Sequence, residues 1–213
     1  MNIFSDNTER KRVEEQMRQA GRLPPGQVAT LKWPVLHYGS VPRFDPKGWD
    51  FRVWGQVARP LRLSWEELQA LPHTEVVADM HCVTRWSRFD NRWQGILARE
   101  VIERAQPTSA AQFVLVHAEP FDSAQGREGY RANVPLQDLL RPNVLFAHSH
   151  DGEPLSPEHG YPLRLVVPHL YAWKSVKWVR GLELLERDVP GFWEQNGYHI
   201  YGDPAKEQRY DTD

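Results

Sequence analysis

Short apolar runs, separated by turn residues and short helical stretches, recur along the chain, as they do in proteins built from many short strands. Residues 49–57 (WDFRVWGQV) alternate apolar and polar side chains, the period-2 signature of a half-buried strand. Residues 75–80 (EVVADM) predict another strand, and 113–117 (FVLVH) and 130–134 (YRANV) predict a pair around the loop 119–129. A buried strand over 143–148 (NVLFAH) runs into the hairpin signal Asp151-Gly152, and 163–167 (LRLVV) and 175–185 (SVKWVRGLELL) complete the strands. Residues 33–42 (WPVLHYGSVP) predict a strand or loop pressed onto something flat.

Helical spacing is scarcer. Residues 8–20 are rich in helix formers, yet only Val13 and Met17 make an i, i+4 apolar pair, which predicts a surface helix with a solvated charge run. Ser64 and Glu67 form a capping box that opens a short helix ended by Pro72. Ile96, Leu97, Val101 and Ile102 recur at helical spacing over 96–105, and 135–140 reads as a helical turn. Strands interrupted by short helices, without regular βαβ alternation, predict an α+β fold with a single mixed domain. Neither a GxGxxG nor a Walker A pattern occurs, so dinucleotide and P-loop readings lack their sequence signatures.

Composition narrows the function classes. With 213 residues, 40% hydrophobic and 25% charged, the chain suits an ordinary globular protein with a substantial core. The net charge of -2 creates no broad basic field for nucleic acid. A single cysteine excludes an internal disulfide framework and a four-cysteine metal site. No apolar run approaches the roughly 20 residues that span a bilayer. Residues 1–27 carry no apolar leader, which predicts a cytoplasmic location. The expected organisation is a polar arm over 1–23, one domain over 24–204 and a tail over 205–213.

That one cysteine, Cys82, sits at the end of the 75–80 strand in the stretch 79–90 (DMHCVTRWSRFD), beside His81, Arg85 and Arg88. Cations favour the thiolate, which is the nucleophile and the soft metal ligand, although a lone cysteine also serves as a small buried hydrophobe. Three further stretches stand out: 33–39 (WPVLHYG), 157–168 (PEHGYPLRLVVP) and 173–179 (WKSVKWV). Together with the cysteine stretch, in this order and spacing between about Pro24 and Pro204, they resemble the molybdopterin-binding domain of the sulfite oxidase-like oxidoreductases.

The resemblance implies a compact mixed α+β domain and a molybdenum-molybdopterin cofactor. It implies Cys82 as molybdenum ligand, Tyr198 near the metal's substrate face, and Arg85 as a cation beside the substrate. His37 and Tyr38 fall in the first pterin-contacting loop, and Asp122 in a variable loop with another polar contact. His159 and Arg164 match the cofactor motif His-Gly-x-Pro-x-Arg, and Ser175, Val176 and Lys177 match the segment that wraps the same group. Physically, Arg164 offers a planar fork and Lys177 a point charge to a phosphate or pterin carbonyl. Where sulfite-oxidising members carry an arginine, this chain has Leu36, which makes sulfite doubtful. The resemblance covers only the molybdopterin-binding domain, without the haem and dimerisation domains of the long sulfite oxidases, so electrons are expected to pass to or from a separate partner. The implied chemistry is therefore oxygen-atom transfer on a small oxo-acceptor or sulfoxide, with electrons exchanged with a separate protein.

Three alternatives stay open: a non-catalytic pterin-binding or interaction module on the same fold, a zinc site using Cys82 and histidines, and cysteine-nucleophile hydrolysis. For the last, His81 on a strand points to the opposite face from Cys82.

Overall fold

The computed structural model describes residues 3–119, 121–122 and 127–212. In chain order the elements are α1 (Ile3–Gln19), β1 (Val28–Ala29), β2 (Asp50–Gly55), β3 (Leu61–Ser64), α2 (Trp65–Gln69), β4 (Thr74–His81), β5 (Trp86–Leu97), α3 (Ala98–Arg104) and β6 (Phe113–Ala118). There follow β7 (Phe121–Asp122), β8 (Arg127–Glu128), β9 (Arg131–Pro135), α4 (Leu136–Leu139), β10 (Leu145–His150), β11 (Glu153–Pro154), β12 (Arg164–Val166) and β13 (Val179–Leu185). No described helix is long and apolar enough to cross a membrane.

Two mixed sheets carry the architecture. One has the order β1-β5-β10-β11, with β4 also paired to β5 and β12 to β10. The other runs β3-β2-β13-β6-β9. Pairing is antiparallel except for β1 with β5 and β2 with β13. The continuous apolar runs of β6 and β10 are buried, and Phe51, Val114, Val116, Phe146, Leu165 and Leu182 share one core with Val101 and Ile102 of α3. This is the mixed α+β arrangement expected from the strand pattern.

The capping box at Ser64 and Glu67 forms as predicted, with each side chain bonded to the other residue's amide. Two boundaries differ. Ile96 and Leu97 belong to β5, where they pair with Phe146 and Leu145, so helical spacing over 96–105 begins as a helix only at Ala98. From the strand, Ile96 enters the main core while Leu97 packs on the opposite face against the cluster around Trp93. The strand predicted over 175–185 begins at Val179. Upstream, Ser175 Oγ accepts a hydrogen bond from the Val167 amide, and Trp178 adopts a left-handed φ of 53°, which takes this segment out of the ladder.

Candidate active site

β4 and β5 form a hairpin whose turn carries Cys82. The Cys82 amide donates to the Trp86 carbonyl at 2.9 Å, the Arg85 amide returns to the Cys82 carbonyl at 3.0 Å, and Arg85 is left-handed at φ 74°. This turn presents Cys82 to a cavity of about 320 Å3, within the range of small-molecule and cofactor sites. Thr84 Oγ1 lies 3.2 Å from the Cys82 sulfur. Burial raises the thiol pKa, offset only in part by the Thr84 hydrogen bonds and the charge of Arg209.

The cations next to Cys82 in sequence are elsewhere, which corrects two expectations. Arg85 does not line the cavity; it is exposed, and its guanidinium lies against Gly26. The left-handed turn rotates its side chain outward. Arg88 is occupied by Asn91, by His150 at 2.9 Å and by Asp151 at 2.6 Å. Neither is placed to hold Cys82 as thiolate.

Elsewhere on the cavity wall, the structure brings most of the predicted residues together. His37, Tyr38, Arg164, Ser175, Val176, Lys177 and Tyr198 all line it with Cys82. Arg164 is 2% exposed and donates only to main-chain carbonyls, that of His159 at 2.9 Å and that of Ser175 at 3.3 Å. Its Nε has no partner, and it forms no ion pair among the described residues. Burial lowers its pKa to about 9, so it remains a cation at neutral pH. Lys177 is bonded through Nζ to the Glu158 carbonyl at 2.6 Å, and burial, reinforced by the Arg164 charge, pushes it down to about 7. A Cβ at Gly160 would stand 3.0 Å from Arg164 Cβ and 3.2 Å from Lys177 Cβ, and the backbone there has φ 114°. Glycine alone lets this turn close over both cations.

His159 stands behind the wall. Its ring stacks on Trp33 at 3.8 Å, with Nδ1 2.9 Å from Ser156 Oγ, and burial lowers its pKa. Ser175 holds the Val167 amide, so its hydroxyl serves the scaffold. His37 stays at the mouth, with Nδ1 3.0 Å from the Gly39 carbonyl, and Tyr38 packs on Phe192. Tyr198 stacks on Trp193 and meets Trp173 edge-on at 5.0 Å. Burial, then the Tyr210 and Cys82 charges, raise its pKa. Asp122 falls in β7, and its side chain lies outside the described residues.

His81 faces away from Cys82. Its Nδ1 lies 2.8 Å from Ser87 Oγ, and its ring lines a separate groove with Arg22, Asp79 and His169. Hydrolysis through the Cys82–His81 pair therefore lacks its base. No cluster of three metal-binding side chains occurs among the described residues, which leaves the zinc reading without support.

Residues that motif reasoning did not single out make the wall aromatic: Trp33, Trp86, Tyr130, Trp173, Trp178 and Trp193 all line the cavity. Their signal was in the sequence, as Trp beside each chemistry-bearing motif.

The donor set fits a molybdopterin. A free soft sulfur stands in the same cavity as a buried guanidinium with an unused N–H and no counter-ion among the described residues, as an anionic phosphate and a polar pterin edge require.

Comparison with known proteins agrees. The profile of the oxidoreductase molybdopterin binding domain matches residues 38–193. The uncharacterized oxidoreductase YuiH of Bacillus subtilis is 48% identical over 199 residues, 93% of this chain and 96% of that protein. The protein-methionine-sulfoxide reductase catalytic subunit MsrP of Campylobacter jejuni is 30% identical over 168 residues, 75% of this chain but 56% of that protein. The sulfane dehydrogenase SoxCD of Paracoccus pantotrophus shares the fold, with a TM-score of 0.62 at 22% identity over 72% of this chain and 42% of that one. The chain belongs to the sulfite oxidase-like family of molybdopterin-dependent oxidoreductases.

Proposed function

We propose that this protein catalyses oxygen-atom transfer on a small, uncharged sulfoxide-type substrate and exchanges electrons with a separate protein. The observation that carries this reading is the division of one cavity: Arg164 and Lys177 supply its cations, while Trp86, Trp173, Trp193, Tyr198 and Leu36 supply apolar wall. Once a cofactor phosphate takes up the two cations, an anion such as sulfite would lose hydration without finding a counter-charge. A sulfoxide with apolar substituents loses little on the same surface.

Each residue has a part in this reading. Cys82 is the metal's sulfur ligand, and Arg164 and Lys177 hold the cofactor's anionic tail, joined by the main chain at Val176. His37 and Tyr38 cover the pterin at the mouth. The Tyr198 hydroxyl, beside Cys82 in the same aromatic cluster, hydrogen-bonds the substrate oxygen. The stacked rings exclude water around that oxygen. When bound, the cofactor supplies a two-electron redox centre able to exchange an oxo group. The name of the Campylobacter relative, a catalytic subunit, supports a separate electron donor.

Elemental analysis of protein from a host with an intact molybdopterin pathway tests this, with Cys82→Ser alongside. The expected result is about one molybdenum per wild-type chain, none in the variant, and dithionite-driven sulfoxide reduction that falls to background with it. Folded wild-type protein that takes up no molybdenum would instead favour a pterin-binding or interaction module.

A further inference from the structure

Two side chains outside the matched residues 38–193 hold the Cys82 turn from behind. Gln27 is buried and donates from Nε2 to the Cys82 carbonyl at 3.0 Å. Arg209, 3% exposed, donates from Nη1 to the Val83 carbonyl at 2.9 Å and from Nη2 to the Pro25 carbonyl at 3.2 Å. The entry segment is pressed onto this guanidinium: Gly26 has φ 66°, and a Cβ there would lie 3.1 Å from Arg209 Nη2 and 2.9 Å from Arg85 Nη1. The turn needs outside support, because Arg85 is a non-glycine residue in left-handed backbone, which persists only where surroundings over-determine it.

Arg209 also reaches the opposite wall. Its guanidinium lies 5.0 Å from the centre of the Tyr171 ring, which stacks on Trp173 at 5.3 Å. Its carbonyl accepts the His199 amide at 3.2 Å, and the neighbouring Tyr210 forms a β-bridge with Tyr198. One side chain and its backbone therefore brace both Cys82 and the Trp173–Tyr198 wall.

We propose that Arg209 is a positioning residue that sets Cys82 against the Trp173–Tyr198 wall, with Gln27 as a second clamp on the same turn. The inference rests on Cys82 being the metal ligand. The planar fork of arginine holds two carbonyls in fixed directions, which the single ammonium of lysine reproduces less well, and loss of the fork leaves the buried Val83 carbonyl without this donor.

Two readouts test it. In cofactor-free protein, the rate at which a maleimide alkylates Cys82 reports the order of the turn. In loaded protein, the visible absorption of the thiolate-bound metal reports the placement of the sulfur. Because Arg209 also favours the Cys82 thiolate, the rate compared is the high-pH plateau, where the thiol is fully ionised; there Arg209→Gln should raise alkylation about tenfold, the equivalent of one lost hydrogen bond from a charged donor. It should also shift the visible band while molybdenum stays bound. Arg209→Lys should restore both in part, and Gln27→Leu should move both in the same direction by less. A folded Arg209→Gln with wild-type alkylation and band overturns the proposal. If Arg209→Gln fails to fold, unchanged readouts in Gln27→Leu and Arg209→Lys overturn it instead. Wild-type protein without molybdenum would defeat the proposed activity, yet the alkylation rates would still decide the clamp.

Discussion

Arg164 and Arg180 are both buried, sixteen positions apart, and they are treated in opposite ways. Arg180 sits in β13, flanked by β2 and β6, and meets a carboxylate at the start of β2 and another just past the end of β6. Its Nη2 reaches Asp50 at 2.7 Å and its Nη1 pairs with Glu119. Burial alone would raise Asp50, but hydrogen bonds from Arg180, Arg52 and Arg62 outweigh it and hold the carboxyl below its usual range. Arg164 begins β12, which pairs with β10, and its guanidinium opens onto the cavity with carbonyls and the rings of Trp33 and Trp93 for company. A buried charge that is satisfied in place serves the fold. A buried charge left without a counter-ion is a site in waiting, because desolvation has been incurred and attraction not yet collected.

The comparison breaks most visibly at Arg180. Arg180→Met removes the innermost of the three arginines on Asp50, together with the partner of Glu119, and should destabilise the protein by about 3 kcal/mol, read from urea denaturation midpoints. A loss under about 1 kcal/mol would mean that Arg52 and Arg62 suffice and the pairing is incidental.

His81 represents a third treatment, a buried group kept neutral. Burial lowers its pKa from 6.5 to about 4. The unfolded chain therefore takes up a proton at higher pH than the folded one. Stability from this group is complete above pH 6.5 and is lost as pH falls toward 4, up to about 3 kcal/mol. His81→Asn, which can keep the bond to Ser87, should flatten that acid limb relative to wild type. Parallel curves for the two proteins would refute a neutral buried imidazole.

The smallest stability change is expected at Arg164 itself. Arg164→Met should leave the cofactor-free protein within about 1 kcal/mol of wild type, since the loss of its two bonds to carbonyls is offset by removal of a buried charge that has no ion pair among the described residues. The same variant should fail to retain molybdopterin when expressed with the pathway, measured as pterin released on denaturation. Strong destabilisation of the cofactor-free form would show that Arg164 is a scaffold residue like Arg180.

Much of the site was legible because short motifs keep their residues together. His159 to Arg164 close around Gly160, so their grouping is local, and Lys177 follows from the next loop. Arg85 failed because sequence adjacency to Cys82 says nothing about direction once the turn takes left-handed backbone. β5 was hidden because Asp90, Asn91 and Gly95 interrupt its alternation, although pairing on both edges makes it the longest strand. The link from Arg209 to the Cys82 turn left no local signal, since the Val83 and Pro25 carbonyls are distant in the chain and only Glu207 is a near neighbour.

By itself the sequence determined the strand-rich α+β character, the capping box at Ser64, the family motifs and the lone sulfur at a strand end. These follow from period, capping chemistry and spacing, which act over a few residues. Only the tertiary structure decided which cations face the cavity, which are paired, and that the entry segment and C-terminal residues brace the Cys82 turn. Burial and counter-charge depend on segments far apart in the chain, and it is their meeting that sets the electrostatics of the site.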